Sequence, residues 1–305
     1  MSRVNNKRTI HRSMNGVETR FGARAIAYIC VVLFVFAGVS PAQQRLVVVG
    51  GGKRPPEAMK KFVEWAGGNS ANILVIPWAT SEPESSFEYL RKDMAELGPR
   101  SIVLAPIAPL TDEKKSMLLE QLKNATGVFF TGGDQVKTME VLKDGSLSAA
   151  LRERYQKGVV FGGTSAGAAI MSTQMITGEG DFTVIDGGKV QTIVGLGLLP
   201  DDVIVDQHFI KRQRQNRLFG LVLQSGRKYG IGIDEDTALL VVDNRFGEVV
   251  GARQVMTVIP AKREGGLFVQ LLKPGEWLDL RKREPTKPRS VKPIILTGRN
   301  SSVLQ

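Results

Sequence analysis

Five short runs of β-branched and aromatic residues alternate with amphipathic stretches in the first half of this 305-residue chain. The runs are "RLVVVGG" (45–51), "NILVIPWAT" (72–80), "SIVLAPI" (101–107), "GVFFTGG" (127–133) and "GVVFGGT" (158–164). Helical patterns lie near 55–66, 82–97, 111–123, 134–142 and 145–156. A strand that is apolar at consecutive positions must bury both faces, and helices that alternate with such strands supply the cover. The expected fold class is therefore α/β, a parallel sheet sandwiched by helices. Ligands of open α/β sheets bind where loops leave the carboxyl edge, so the small residues after these runs mark the expected site.

The pattern changes after residue 173. Residues 174–205, rich in Gly and Asp, read as an irregular excursion or hairpin. A helix follows over roughly 213–225, with Leu218, Leu221 and Val222 on one side and Gly226 as its stop. Then "YGIGIDEDTALLVVDN", "GEVVGARQVMTVIPA" and "GLFVQLL" read as closely spaced strands of a small antiparallel extension. The expected organisation is one α/β domain over 43–280 and a loosely ordered basic tail over 281–305.

Residues 1–42 read as a signal peptide rather than as part of the domain. Arg3, Lys7, Arg8, Arg12, Arg20 and Arg24 stand against one acid, Glu18, and precede the apolar run "AIAYICVVLFVFAG". That run is short for a span, and a small-x-small end at Ser40–Ala42 follows it. The expected destination is secreted or periplasmic, with membrane contact only through this leader. The whole chain has a formal net charge of +11, and removing the leader leaves a mildly basic protein. No nucleic-acid partner is expected, because no zinc finger, RNA-binding sheet motif or basic amphipathic helix accompanies the charge.

Cysteine and histidine are nearly absent, which narrows the chemistry. The single cysteine, Cys30, and one of the two histidines, His11, both lie in the leader. What remains has no thiol nucleophile, no Cys-ligated metal and too few histidines for a His-rich zinc site, so neither metal nor cofactor is expected. If serine–histidine chemistry operates, the base is His208.

"GGTSAG" places Ser165 in a G-x-S-x-G elbow between a strand and a helix-forming segment. A nucleophile held in so sharp a turn crowds its second neighbours, so both must lack bulk. The amides beginning at Ala166 point toward any oxyanion that forms. Backbone N–H groups at the end of "FFTGGDQV" complete such a hole, while Asp134 suits a helix N-cap. "VIVDQHFIKRQRQNR" (203–217) gathers Asp206, Gln207, His208, Arg212, Arg214 and Arg217. Guanidinium groups bind carboxylates bidentately, so this segment suits an acidic or carboxylate-bearing substrate. "GIGIDEDTAL" (230–239) ends a strand in Asp234, Glu235 and Asp236, any one of which could orient His208. "VVVGGGKRPPE" (47–57) lacks the phosphate-loop spacing and reads as a substrate-side loop.

With "TGGDQ", "GGTSAGA", "DQHFIKRQRQNR" and "GIGIDEDTAL" in this order, the chain resembles the cyanophycinases, a serine peptidase family that includes aspartyl dipeptidases. The resemblance covers most of residues 45–260. It implies a flavodoxin-like or class I glutamine-amidotransferase-like sheet. It also implies Ser165 as nucleophile, His208 as general base then acid, and Glu235 as the orienting carboxylate. The oxyanion hole would use amides near Gly133 and Ala166. Gln135, Asp206, Gln207, Arg212, Arg214 and Arg217 match positions that line the family's substrate pocket. The implied substrate is cyanophycin, a poly-aspartate with arginine on each β-carboxyl. It would be cut from the end into β-Asp-Arg dipeptides through an acyl-enzyme on Ser165.

Other readings stay open at this stage. An aspartyl or isoaspartyl dipeptidase would use the same nucleophile on a shorter substrate, and a second copy of the chain in a homodimer is compatible with either. An α/β-hydrolase esterase would place its acid between serine and histidine, at Asp181, Asp186, Asp201 or Asp202. A non-catalytic binding protein would have lost one of Ser165, His208 or Glu235, and all three are present.

Overall fold

The computed structural model describes residues 42–261 and 265–287. The leader expected over 1–42, but for Ala42, and the tail from 288 onward lie outside the described residues.

The first half alternates strand and helix as the apolar runs require. Its elements are β1 (Arg45–Val49), α1 (Pro56–Trp65), β2 (Asn72–Ile76), α2 (Pro83–Ala95), β3 (Ser101–Leu104) and α3 (Asp112–Asn124). They continue with β4 (Gly127–Phe130), α4 (Gln135–Val141), α5 (Ser146–Gln156), β5 (Val160–Thr164) and the four-residue α6 (Ala166–Ala169). Strands β1, β5, β4, β2 and β3 pair in parallel in that spatial order.

Successive residues of each strand serve opposite layers. Leu46, Val48, Leu74, Ile76, Val128, Phe130 and Phe161 join one apolar cluster, under Leu118 and Leu122 of α3 and Leu147, Leu151 and Tyr155 of α5. Val47, Val49, Ile73, Val75, Phe129 and Val160 join the other, under Phe62 of α1 and Leu90 and Met94 of α2. The period of two in a strand thus becomes two cores, each capped by helices whose apolar side follows the 3.6-residue period. Phe62 and Phe129 meet edge to face at 5.2 Å between ring centroids.

The second half adds β6 (Gln174–Gly180), β7 (Val190–Val194), β8 (Val203–Gln207), α7 (Gln215–Ser225), β9 (Tyr229–Ile233) and β10 (Thr237–Val242). It ends with β11 (Phe246–Gly251), β12 (Val255–Pro260), β13 (Leu267–Leu272), β14 (Trp277–Asp279) and β15 (Glu284–Thr286). Strands β10, β11, β14 and β15 extend the main sheet antiparallel beyond β1, giving nine strands. The excursion over 174–205 contains the hairpin β6–β7, as its composition suggests, but also the buried strand β8. β8 pairs in parallel with β9 in a separate four-stranded sheet that continues through β12 to β13. The extension is therefore not wholly antiparallel, because α7 crosses over between β8 and β9 and packs Leu218, Leu221 and Val222 onto Ile204 and Val258. The sheet also runs past residue 280: β15 pairs with β14, and Arg283 reaches Asp202.

Phe129 is fully buried between two layers, so Phe129→Ala is expected to cost about 3–5 kcal/mol of unfolding free energy. Urea denaturation checks this; a loss below about 1 kcal/mol would mean that the layer collapses onto the cavity.

Candidate active site

The carboxyl end of β1 is the anchor of the site. Val49 O accepts the Ser165 N–H at 3.0 Å, and Gly50 O accepts the His208 N–H at 2.7 Å. The Gly50 N–H donates to Thr237 O at 2.9 Å, and Gly51 O accepts the Asp236 N–H at 2.9 Å. Three consecutive residues thereby hold the segments that bear the serine, the histidine and the acid triplet.

Ser165 stands between β5 and α6 with φ 52° and ψ −112°, a backbone state that side-chain-bearing residues seldom adopt. A Cβ on Gly163 would lie 2.3 Å from Gly167 O, and one on Gly167 would lie 2.4 Å from Phe130 O. Both flanking glycines are thus required by backbone contact, as the elbow predicts. The turn projects Ser165 Oγ to 2.8 Å from His208 Nε2, and His208 Nδ1 lies 2.7 Å from Glu235 Oε1. With the Nδ1 proton directed to Glu235, Nε2 is left to accept from the serine hydroxyl.

Of the three candidate acids only the middle one reaches the imidazole. Asp234, buried, accepts the Lys211 N–H at 2.8 Å, and Asp236 accepts the Lys53 N–H at 2.7 Å. The acids that an esterase order would need are occupied elsewhere. Asp181 bonds Thr183, Asp186 the Gly188 amide, Asp201 the Thr173 hydroxyl, and Asp202 Arg283.

Burial holds the His208 pKa below its ordinary 6.5; the bond to Glu235 opposes this, and the Arg212 and Arg214 charges add to it. The imidazole is consequently neutral at pH 7 and able to take a proton. The bond from His208 chiefly holds the Glu235 carboxyl below the usual range, so it stays ionised. Gly132 lies against the serine: a Cβ there would be 3.3 Å from Ser165 Cβ. Gly133 lies against Ala79, whose carbonyl accepts the Asp134 N–H at 2.7 Å, and Asp134 caps α4 through the Val136 N–H. Ala166 follows the serine directly as the first residue of α6, where an amide has no carbonyl of its own helix to bond. Ala166 thus adjoins Ser165 in the chain, while the glycine that lies against the serine is Gly132 and Gly133 packs on Ala79. Among the described residues no group of three or more His, Cys, Asp or Glu side chains is placed to hold a metal ion.

Comparison with known proteins identifies the setting of this geometry. The sequence pattern of peptidase family S51 matches residues 46–249, a stretch that includes Ser165, His208 and Glu235. The chain belongs to peptidase family S51. It is 34% identical over 217 residues to a cyanophycinase of Geminocystis herdmanii, covering 70% of this chain and 79% of that one. It is likewise 34% identical over 221 residues to a cyanophycinase of Trichormus variabilis, covering 71% and 74%. The fold is similar to the crystal structure of a peptidase from an acI-B1 actinobacterium, with a TM-score of 0.61 and 26% identity over 77% of this chain and 96% of that chain. This S51 member is a serine-type peptidase with the α/β fold expected of it.

Not every residue expected to meet substrate is free to do so in this S51 peptidase. Asp206 and Arg217 are 1% and 2% exposed and bind each other bidentately, with Nε to Oδ2 at 2.7 Å and Nη2 to Oδ1. The Phe182 ring covers the guanidinium at 5.0 Å. The expectation that this acid and this arginine line the substrate pocket is corrected: each is the other's partner, because a charge buried so deeply needs one. Gln135 is buried and donates to Ile176 O and Thr177 O, tying α4 to β6. Gln207 is buried and accepts from Arg214, whose pKa burial lowers to about 10, so that it remains a cation. Only Arg212 stands open, with its side chain 53% exposed and Nε 3.6 Å from Glu235 Oε1.

One functional feature was misread from the sequence. The triple glycine 50–52 is not simply a substrate-side loop but the seat of the imidazole. Gly51 has φ +103°, and a Cβ there would stand 2.2 Å from His208 Cε1. The signal was present as three glycines after a buried strand; their contact partner lies over 150 residues away in the sequence.

Gly51→Ala is expected to displace the ring and lower peptidase turnover at least about 100-fold with the fold intact by circular dichroism. Turnover within a few-fold of wild type would show that the ring does not depend on this contact. Asp206→Ala leaves Arg217 buried and uncompensated, and is expected to cost about 3–5 kcal/mol, whereas Asp206→Leu with Arg217→Met recovers most of it. Thermal or urea unfolding of the two variants checks the difference.

Proposed function

We propose that this S51 peptidase cleaves cyanophycin at its aspartyl backbone by an acyl-enzyme route, releasing β-Asp-Arg dipeptides from the chain end. The observation that carries the reading is the unbroken relay from Ser165 Oγ through His208 to Glu235, at 2.8 Å and 2.7 Å, in a chain whose relatives are named cyanophycinases.

Ser165 Oγ attacks the scissile carbonyl while His208 Nε2 takes its proton, and the amides of Gly133 and Ala166 receive the oxyanion. His208 then returns the proton to the leaving amine as the C–N bond breaks. Water, deprotonated by the same nitrogen, releases the acid and restores the serine. Glu235 holds the imidazole orientation and stabilises the imidazolium. Exposed Arg212, beside Glu235, is the side chain available to a substrate carboxylate, and each cyanophycin repeat carries one on its arginine. The basic leader with its apolar run and small-residue end supports action outside the cytoplasm, on external polymer.

Ser165→Ala is expected to lower dipeptide release by at least about 1,000-fold, measured by mass analysis of products from insoluble cyanophycin. Short β-aspartyl dipeptides hydrolysed in place of the polymer would assign the enzyme to the dipeptidases instead. Protonating His208 removes the base, so kcat/KM falls as pH drops through its pKa. That acidic limb is expected below 6.5 and should move upward in Arg212→Gln, which loses a charge that opposes the imidazolium. A limb that stayed in place would exclude that electrostatic role for Arg212.

A further inference from the structure

We infer that Asp236 is a positioning residue that fixes the His208 imidazole by locking the loop on which the ring rests. Asp236 grips that loop at two points. Its N–H donates to Gly51 O at 2.9 Å, and its carboxylate Oδ1 accepts the Lys53 N–H at 2.7 Å. The turn between these bonds cannot open without breaking one of them. Gly51, inside the turn, is the residue whose Cα faces the imidazole so closely that no side chain fits. The residue before it accepts the His208 N–H.

The same acid is coupled to Glu235 through the backbone. Asp236 has φ 57°, and its carbonyl accepts the Ala252 N–H at 2.8 Å. The Thr237 hydroxyl, fully buried, donates to Glu235 O at 3.1 Å and accepts the Arg253 N–H at 3.0 Å. Arg253 lies across the outer acids, 3.6 Å from Asp234 and 3.9 Å from Asp236. The triplet Asp234–Glu235–Asp236 thus divides its labour. Asp234 holds the chain just after His208 through Lys211, Glu235 holds the ring nitrogen, and Asp236 holds the surface beneath the ring. An orienting carboxylate fixes one ring nitrogen but leaves the imidazole free to turn about the axis of that hydrogen bond. The remaining tilt needs a second contact, and the Gly51 backbone is that contact.

The inference rests on the reading of His208 as the base, so its test separates the two. Asp236→Gly deletes the acceptor while tolerating the left-handed backbone, and Asp236→Asn keeps both an acceptor oxygen and that backbone. Nuclear magnetic resonance titration of His208 reads the seat without any substrate; the full chain has only His11 besides, and one substitution assigns the signals. The groups facing the ring are Ser165, Glu235, Arg212 and Arg214, and none changes in either variant.

In Asp236→Gly the loosened ring gains water, and its pKa is expected to rise toward 6.5. Labelling of Ser165 by a fluorophosphonate is expected to slow about 10- to 100-fold, with kcat for the polymer falling in step and KM unchanged. Asp236→Asn restores the titration and the rates to within a few-fold of wild type. A His208 titration and labelling rate unchanged in Asp236→Gly would overturn the inference, as would an Asn variant no better than the Gly one. Titration and labelling that follow this pattern across both variants, in a protein whose wild type leaves cyanophycin intact, would sink the substrate reading alone and uphold the positioning role.

Discussion

Residues 49–51 bond in succession to the segments that carry Ser165, His208 and the acid triplet. Such an anchor works because β1 is central: it pairs in parallel with β5 on one side and antiparallel with β10 on the other, and both of its faces are buried. A buried strand held from both edges has little freedom to shift, so groups tied to its last carbonyls inherit its rigidity. The strained serine backbone and the positive φ of His208 are sustained by the same bonds.

Charge is organised around this anchor in two ways. Asp206 and Arg217 are withdrawn into the interior and satisfy each other, which fixes α7 against the end of β8 immediately before His208. His208 itself is buried beside a carboxylate that is held ionised and near two arginines, and the balance favours the neutral ring. A base needs that form. Arg212 remains at the surface, its side chain half exposed and its Nε 3.6 Å from Glu235 Oε1.

The legible parts of the fold were those with a local cause. The five runs became strands because consecutive apolar residues leave a strand no exposed face, and the intervening patterns became helices that cover them. β8 escaped because "VIVDQ" is short and sits after a stretch of Gly and Asp, so its partner β9 and the parallel pairing were not visible. In the site, Ser165 was legible from glycines that its own turn requires, and His208 from the lack of any other histidine after residue 42. The pocket assignments for Asp206 and Arg217 failed for the opposite reason. A charged or amide side chain looks the same in sequence whether it faces water or a buried partner.

The sequence by itself determined the fold class and the elbow, which follow from residue type and spacing along a few neighbouring positions, and the single histidine after residue 42, which follows from composition. Only the tertiary structure decided that Glu235 rather than Asp234 or Asp236 reaches the imidazole, that Asp206 and Arg217 are spent on one another, and that Gly51 carries the ring. Those outcomes depend on distances of a few ångströms between segments far apart in the chain. Strand order and crossover geometry set such distances, and no local pattern encodes them.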